Sequence, residues 1–174
     1  MGYDLHVKAA AIVRDAGGRL VGRTRLQKVA YLAQLAGFGD DFKFEYHHYG
    51  PYSEELAEAM EIAVGLDFVD KKEKVSASGA WYSVYTADPA DPDNSRAHFI
   101  AEASKIGAIE LELAATAAFL YAEEGCHGDP EGDPWEITAQ RKSSKATKTR
   151  LRMAKIRYRK LLNIAQPGTL PPIA

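Results

Sequence analysis

One cysteine, Cys126, is all the thiol that this chain of 174 residues carries. No disulfide can form within it, and a fold resting on packing alone suits a reducing compartment. No apolar run is long enough to cross a bilayer. The first turns carry Asp4, His6 and Lys8 where a secretory leader would be basic and then apolar, so the expected location is the cytoplasm. Acid is missing from one end altogether. Residues 137–174 contain 10 Lys+Arg and no Asp or Glu, whereas residues 1–136 contain 12 Lys+Arg and all 24 Asp+Glu, so the formal charge of −2 conceals segments of −12 and +10. A basic end on an acidic body fits two arrangements: contact of that end with nucleic acid, or packing of the end against the body. What is present otherwise, 46% hydrophobic and 26% charged residues, is ordinary for a soluble domain with a core of its own.

Periodicity places a first helix over residues 4–15, with Leu5, Ala9, Ile12 and Ala16 on one stripe and Gly17-Gly18 as its end. A second helix, over 24–35, starts at Thr24 as N-cap and buries Leu26, Val29, Ala30 and Ala33. An aromatic strand follows, with Phe42, Phe44, Tyr46 and His48 alternating onto one face, and Gly50-Pro51 breaks it. Ser53 caps a third helix over 53–64, whose first turn carries Glu54 and Glu55 at the positive end of the dipole. A hairpin over 68–86 turns at residues 76–79, its second arm rich in Trp81, Tyr82, Val84 and Tyr85. The proline-rich stretch 88–94 reads as a linker, and helices are expected over 95–106, 109–124 and 144–162, with a loop over 125–134 and a fraying tail over 167–174.

The expected fold is therefore mainly α with some β (α+β). A winged-helix-like N-terminal half with a β-hairpin, residues 1–87, is followed by a helical C-terminal half, residues 95–163, packed on it in one compact domain. In that order the helix over 53–64 takes the recognition-helix position, and Lys71, Lys72 and Lys74 sit on the wing.

Catalytic and metal motifs fail on inspection. The run Gly17-Gly18-Arg19-Leu20-Val21-Gly22-Arg23-Thr24 nearly fits a phosphate-binding loop, with Arg23 in the lysine position. That loop needs a strand before it, and the reading here puts a helix there, so it is taken as a helix end followed by a helix start. Asp129, Glu131 and Asp133 open like a calcium loop but lack its glycine and its bidentate glutamate. Cys126-His127 has no orienting partner, and His47 and His48, neighbours on a strand, point to opposite faces, one packed and one exposed. Asp70-x-Lys72 is too short a pattern to define a nuclease site. No cofactor or metal is expected. The basic end is more coherent: Lys148, Arg152, Lys155 and Arg159 recur at helical spacing as one positive stripe, widened by Arg141, Lys142, Lys145, Arg150, Arg157 and Lys160. Such a stripe suits phosphates or an acidic partner, and Tyr158 is its one aromatic, so base stacking is not supported.

Two stretches taken together carry a family resemblance. Arg23-Thr24-Arg25-Leu26-Gln27-Lys28-Val29-Ala30-Tyr31-Leu32 is followed by Tyr46-His47-His48-Tyr49-Gly50-Pro51-Tyr52-Ser53-Glu54-Glu55-Leu56. This pairing resembles the YwgA-like proteins and, through them, the SocA-like antitoxin, or Panacea, domains. The helix Leu111-Glu112-Leu113-Ala114-Ala115-Thr116-Ala117-Ala118-Phe119-Leu120-Tyr121 also resembles the second half of YwgA-like proteins. The resemblance implies a small, mostly helical, non-enzymatic protein, and its antitoxin branch implies neutralisation of a toxin by binding it. Leu26, Gln27, Lys28 and Tyr31 match the first motif and Tyr49, Gly50, Pro51 and Tyr52 the second. Gly50 and Pro51 read as turn geometry.

The expected function is a cytoplasmic, non-catalytic module that binds a partner protein, with Gln27, Lys28, Tyr31, Tyr46, His48, Tyr49 and Tyr52 as contacts. The alternative is a winged-helix DNA-binding regulator working through Lys71, Lys72, Lys74, Lys148, Arg152, Lys155 and Arg159. No membrane partner is expected, and a homodimer is an allowed state.

Overall fold

The computed structural model describes residues 4–174. In chain order the elements are α1 (Leu5–Asp15), β1 (Arg19–Val21), α2 (Arg23–Leu35), β2 (Glu45–His47), β3 (Gly50–Tyr52), α3 (Glu54–Gly65), β4 (Asp70–Val75), β5 (Trp81–Thr86), α4 (Ser95–Ser104), α5 (Ala108–Glu124), α6 (Pro134–Arg141) and α7 (Lys148–Leu162). The architecture is mixed α/β and mainly helical, with two small antiparallel sheets, one ordered β1-β5-β4 and one formed by β2 and β3. None of the described helices is long and apolar enough to cross a membrane.

Side-chain caps set several helix starts. Ser53 accepts from the Leu56 amide at 3.2 Å to open α3, and Asn94 accepts from the Ala97 amide at 2.7 Å to open α4. Two starts differ from expectation. The Asp133 carboxylate accepts from the Trp135 and Glu136 amides, with Pro134 in the first turn, so the segment read as the end of a loop opens α6. The last helix begins at Lys148 and not at residue 144, because the Thr147 hydroxyl accepts from the Arg150 amide and caps it there.

Two short strands also differ from expectation. Residues 19–21 form β1, paired to β5 in the register Arg19↔Thr86, Leu20↔Tyr85, Val21↔Val84. A strand, not a helix, thus leads into Gly22, which takes a φ of +97° and precedes α2 in place of a Thr24 cap. The aromatic strand is shorter than its alternation suggests. Phe42 leaves the ladder to bond with the Gln34 side chain, its carbonyl accepting from Nε2 at 2.7 Å and its amide donating to Oε1 at 3.2 Å. Gly50-Pro51 does not end the β structure either, since it is the return arm β3.

Helix α5 is the hub. Residues 111–120 are all buried, and α5 touches α2, α6, α7 and β3. The buried apolar residues form one cluster that draws on both halves of the chain, from Ala9, Leu32 and Leu56 to Phe99, Leu113 and Tyr158. Each such side chain taken out of water contributes roughly 1.5–3 kcal/mol. Ten consecutive buried positions leave no solvent face, so Glu112 must find its partners inside, while the Thr116 hydroxyl has no hydrogen-bond partner among the described residues.

The tail packs instead of fraying. Leu170 is fully buried. The Tyr158 hydroxyl donates to the Pro171 carbonyl at 2.7 Å, the Trp135 indole N–H donates to the Ile173 carbonyl, and the Gly168 amide donates to the Ala36 carbonyl at 2.8 Å. Buried aromatic donors need acceptors, and a proline-rich segment without regular structure has free carbonyls to supply them. Leu170→Ala is expected to cost about 3 kcal/mol in urea unfolding, whereas a cost below about 0.5 kcal/mol, the level of an ordinary surface change, would show that the tail is not part of the core.

Candidate functional site

The β2–β3 hairpin pairs Glu45↔Tyr52, Tyr46↔Pro51 and His47↔Gly50, which leaves His48-Tyr49 as a two-residue loop. Gly50 is required twice over. Its φ is +89°, and a Cβ there would lie 2.8 Å from Thr116 Oγ1. So short a hairpin is marginal on its own. Long polar side chains from two directions hold it.

From α2, Gln27 Nε2 donates to the Ser53 carbonyl at 2.9 Å, while its Oε1 accepts from the Ser53 amide at 2.8 Å. One turn face along, Lys28 Nζ donates to the Pro51 carbonyl at 2.6 Å. From the end of α6, Lys142 Nζ donates to the His48 carbonyl at 2.8 Å. Three carbonyls of the hairpin and the turn after it are thus satisfied by side chains. Gln27 and Lys28, expected as partner contacts, are instead 2% and 1% exposed and face the hairpin. The polarity that marked them as surface residues serves buried backbone groups.

Lys142 has a second task. Its ammonium also lies 3.1 Å from Glu112 Oε1, and Lys145 reaches Glu112 Oε2 at 2.9 Å. Glu112 is 3% exposed, so this carboxylate is removed from water and held by two ammonium groups. Lys28 has no carboxylate within hydrogen-bonding reach among the described residues. Burial pushes its pKa down from 10.5 to about 8, with Glu112 opposing and Lys142 and Lys145 adding to the fall. The sequence reading grouped Arg141, Lys142 and Lys145 with the stripe of the last helix. They belong to α6 and the turn after it, and they face the hairpin. The residues it overlooked are Glu112 and Thr116, and a signal was present: two polar residues four apart on one face of the otherwise apolar run 111–120.

Above these ties lies an exposed ledge. His47 stacks on Tyr52 with ring centroids 5.0 Å apart, and His48 meets Tyr49 edge-on at 4.8 Å. Both histidines are exposed, contrary to the expectation of one packed and one free, because His48 sits in the loop and not in the strand. The Arg141 guanidinium lies 5.3 Å from the Tyr46 ring and the Lys145 ammonium 4.7 Å from the Tyr49 ring. Tyr49 is 52% exposed. Tyr46 is half-buried against Phe119. Tyr31 is buried between Phe44 and Phe119, its hydroxyl without a partner among the described residues and its pKa raised by burial. Of the expected contacts the structure brings Tyr46, His48, Tyr49 and Tyr52 to this ledge, and puts Gln27, Lys28 and Tyr31 beneath it.

The basic residues of the alternative reading lie elsewhere. Lys71 is spent on Glu61 at 2.7 Å and on Glu73 at 3.6 Å, while Lys72 and Lys74 are exposed. Lys148, Arg152, Lys155 and Arg159 are exposed on α7, and none of them forms an ion pair among the described residues. The basic end therefore divides: Arg141, Lys142 and Lys145 pair with acids of α5, and the α7 cations form no ion pair among the described residues, Lys155 lying over the Trp135 ring. Near Gly22, the loop weighed as a phosphate cradle has its arginines engaged, Arg25 with the Val21 and Ile106 carbonyls and Arg23 with Glu73. His127 stacks on Tyr121 at 4.1 Å, away from any thiol chemistry with Cys126. No group of three His, Cys, Asp or Glu is gathered among the described residues.

Removing the Gln27 amide leaves the Ser53 amide buried and unpaired, and leaves the Ser53 carbonyl with only the Ala57 amide at 3.2 Å. Gln27→Ala is expected to cost about 3 kcal/mol in chemical unfolding, and a change under about 1 kcal/mol would mean that water replaces it. Lys28 has a pH signature. Its folded pKa of about 8 lies below the ordinary 10.5, so between those values the unfolded chain holds more protons and stability rises with pH. Lys28→Met lacks this rise. The stability difference, wild type minus Lys28→Met, should grow by about 2 kcal/mol between about pH 8 and pH 10. A flat difference would show that Lys28 stays fully charged at its buried post.

No protein-family model matches the chain. Over 70 residues it is 40% identical to the uncharacterized protein YwgA of Bacillus subtilis. The match spans 40% of this chain and 42% of YwgA, less than half the length of the curated relative. To that extent the chain is similar to YwgA.

Proposed function

We propose that this chain is a non-catalytic cytoplasmic module that binds a partner protein, antitoxin-like or regulatory, through the ledge of the β2–β3 hairpin. One observation carries the reading. A set of aromatic and cationic side chains, the exposed His47, His48 and Tyr49 with half-buried Tyr52 and the exposed Arg141 of α6, gathers at a hairpin whose carbonyls are tied from beneath by Gln27, Lys28 and Lys142. Tyrosine and arginine on a pre-ordered backbone suit protein recognition, because large contact area is presented with little ordering left to lose. The resemblance of the two N-terminal motifs to antitoxin domains agrees with it.

A second reading has its own support. The order α1, β1, α2, α3, β4, β5 with the sheet β1-β5-β4 supports a winged helix-turn-helix reading in which the β2–β3 hairpin is an insertion before α3. In that frame α3 would enter the groove, yet it exposes Glu54, Glu55, Glu58 and Glu61 and no cation. Phosphates repel that face. DNA would have to be held by Lys72 and Lys74 beside the 72% exposed Trp81 of the wing, and by the unpaired cations of α7.

Two measurements separate the readings. Co-purification with the products of adjacent genes is expected to capture a partner that the double substitution His48→Ala/Tyr49→Ala releases without a change in melting temperature. Retention by that variant would remove the ledge from the interface. In a mobility-shift salt series, engagement of the four α7 cations would give a log–log slope of about −3 to −4. Such a slope, abolished by neutralising those four residues, would put the DNA reading first.

A further inference from the structure

We propose that the cleft between the β2–β3 hairpin and the C-terminal end of α6 is a binding site for a phosphate group. It goes beyond protein recognition and does not depend on it. The cleft has a volume of about 380 Å³ and is lined by Tyr46, His48, Arg141, Lys142, Ser144 and Lys145, with Glu112 as its one acid. That volume suits a small ligand.

Charge is the first argument. Three cations of the lining face a single carboxylate, and that carboxylate is already bonded to Lys142 and Lys145. Arg141 balances its charge against Glu124, which lies outside the lining. Lys28, buried under Pro51, adds a further positive charge beneath the hairpin with no carboxylate bonded to it. Positive charge held away from water, as at Lys142 and Lys28, is costly unless an anion answers it. A doubly charged oxyanion answers it better than a single carboxylate does.

Free donors are the second argument. An ammonium has three N–H groups, and Lys142 commits two directions, to His48 and to Glu112. Arg141 commits one N–H from each terminal nitrogen to Glu124, which leaves the other N–H groups of its fork open. The Ser144 hydroxyl is exposed at the rim. Tyr46 and Tyr49 hold the Arg141 and Lys145 heads in place by their ring faces. Held cations with unspent donors around an open cavity match the tetrahedral oxygens of phosphate.

The experiment titrates the whole chain with inorganic phosphate and, in a second arm, with phenyl phosphate, at constant ionic strength. Binding is read by calorimetry and by amide chemical shifts. The expected result is saturable binding that moves the amides of residues 46–49 and 141–145. Lys145→Met and the more exposed Arg141→Met should each weaken it by about tenfold or more, and Lys105→Met should leave it unchanged. Tighter binding of phenyl phosphate identifies an aromatic monoester as the natural source, and equal binding identifies the free oxyanion. Absence of saturable shifts at those amides in both arms, or affinity unchanged in both Lys145→Met and Arg141→Met, would overturn the proposal.

Discussion

Glu112 sets the terms for the front of this molecule. It sits just over one turn into α5, at the start of a run with no face to water, so its charge has to be met inside. Lys142 and Lys145 meet it, and both come from the chain that follows α6. That requirement fixes where α6 ends and which way the next turn runs. It also positions Lys142 to bond the His48 carbonyl, which links the helical second half to the tip of the hairpin. A buried pair of this kind is weak as a source of net stability, because desolvation offsets most of the attraction, but breaking it leaves a bare charge and is severe. Its value lies in register: few other arrangements of α6 and the hairpin satisfy both the carboxylate and the carbonyl.

The hairpin shows the same logic from the other side. Pro51 contributes no N–H, and its carbonyl points at α2, where Lys28 takes it. Ser53 is both the cap of α3 and the clasp for Gln27, so one residue couples the hairpin, α2 and the start of α3. Thr116 closes against Gly50 from α5 and excludes any side chain there. Lys28 of α2, Thr116 of α5 and Lys142 after α6 therefore converge on eight residues of backbone, from residue 45 to residue 52. An exposed aromatic surface built on such a segment loses little freedom when something docks on it.

The sequence was legible where periodicity and caps repeat over several turns. Ser53 before Glu54 and Glu55 announced α3, whereas the alternation of Phe42, Phe44 and Tyr46 announced a longer strand than the three residues Glu45–His47 that form. It was silent where a strand is three residues long, as in β1, because period two cannot be read from Arg19-Leu20-Val21. It misled where residue type and location part company. Gln27 and Lys28 look like surface residues and are among the most deeply placed side chains, since the backbone they serve comes from 23 to 26 residues downstream. The proline-rich tail looked loose and is pinned by Tyr158 and Trp135, neither of which advertises in sequence which carbonyl it will take. Of the seven expected contacts, Tyr46, His48, Tyr49 and Tyr52 lie on the hairpin surface, the first and last of them half-buried. The rest was polar chemistry turned inward.

The charge asymmetry of the chain resolves into two different structures. Acids of α5 draw in the nearest cations of the basic end, Arg141, Lys142 and Lys145, while the acids on α3 stay on the surface. The cations of α7 form no ion pair among the described residues, because α7 packs on α4 and α5 through Ala154, Tyr158 and Leu161 and turns its charged side outward. Any single polyanion that used α7 would have to avoid the glutamates of α3. A protein partner faces no such conflict, since it can bring basic groups to α3, acidic ones to α7 or neither. The hairpin ledge is the mixed surface between these extremes, with aromatic rings, histidines and half-neutralised cations side by side. Such a surface discriminates by shape and by the placement of a few charges more than by net charge, which is how a protein, or a phosphate group of defined geometry, is told from a generic polyanion.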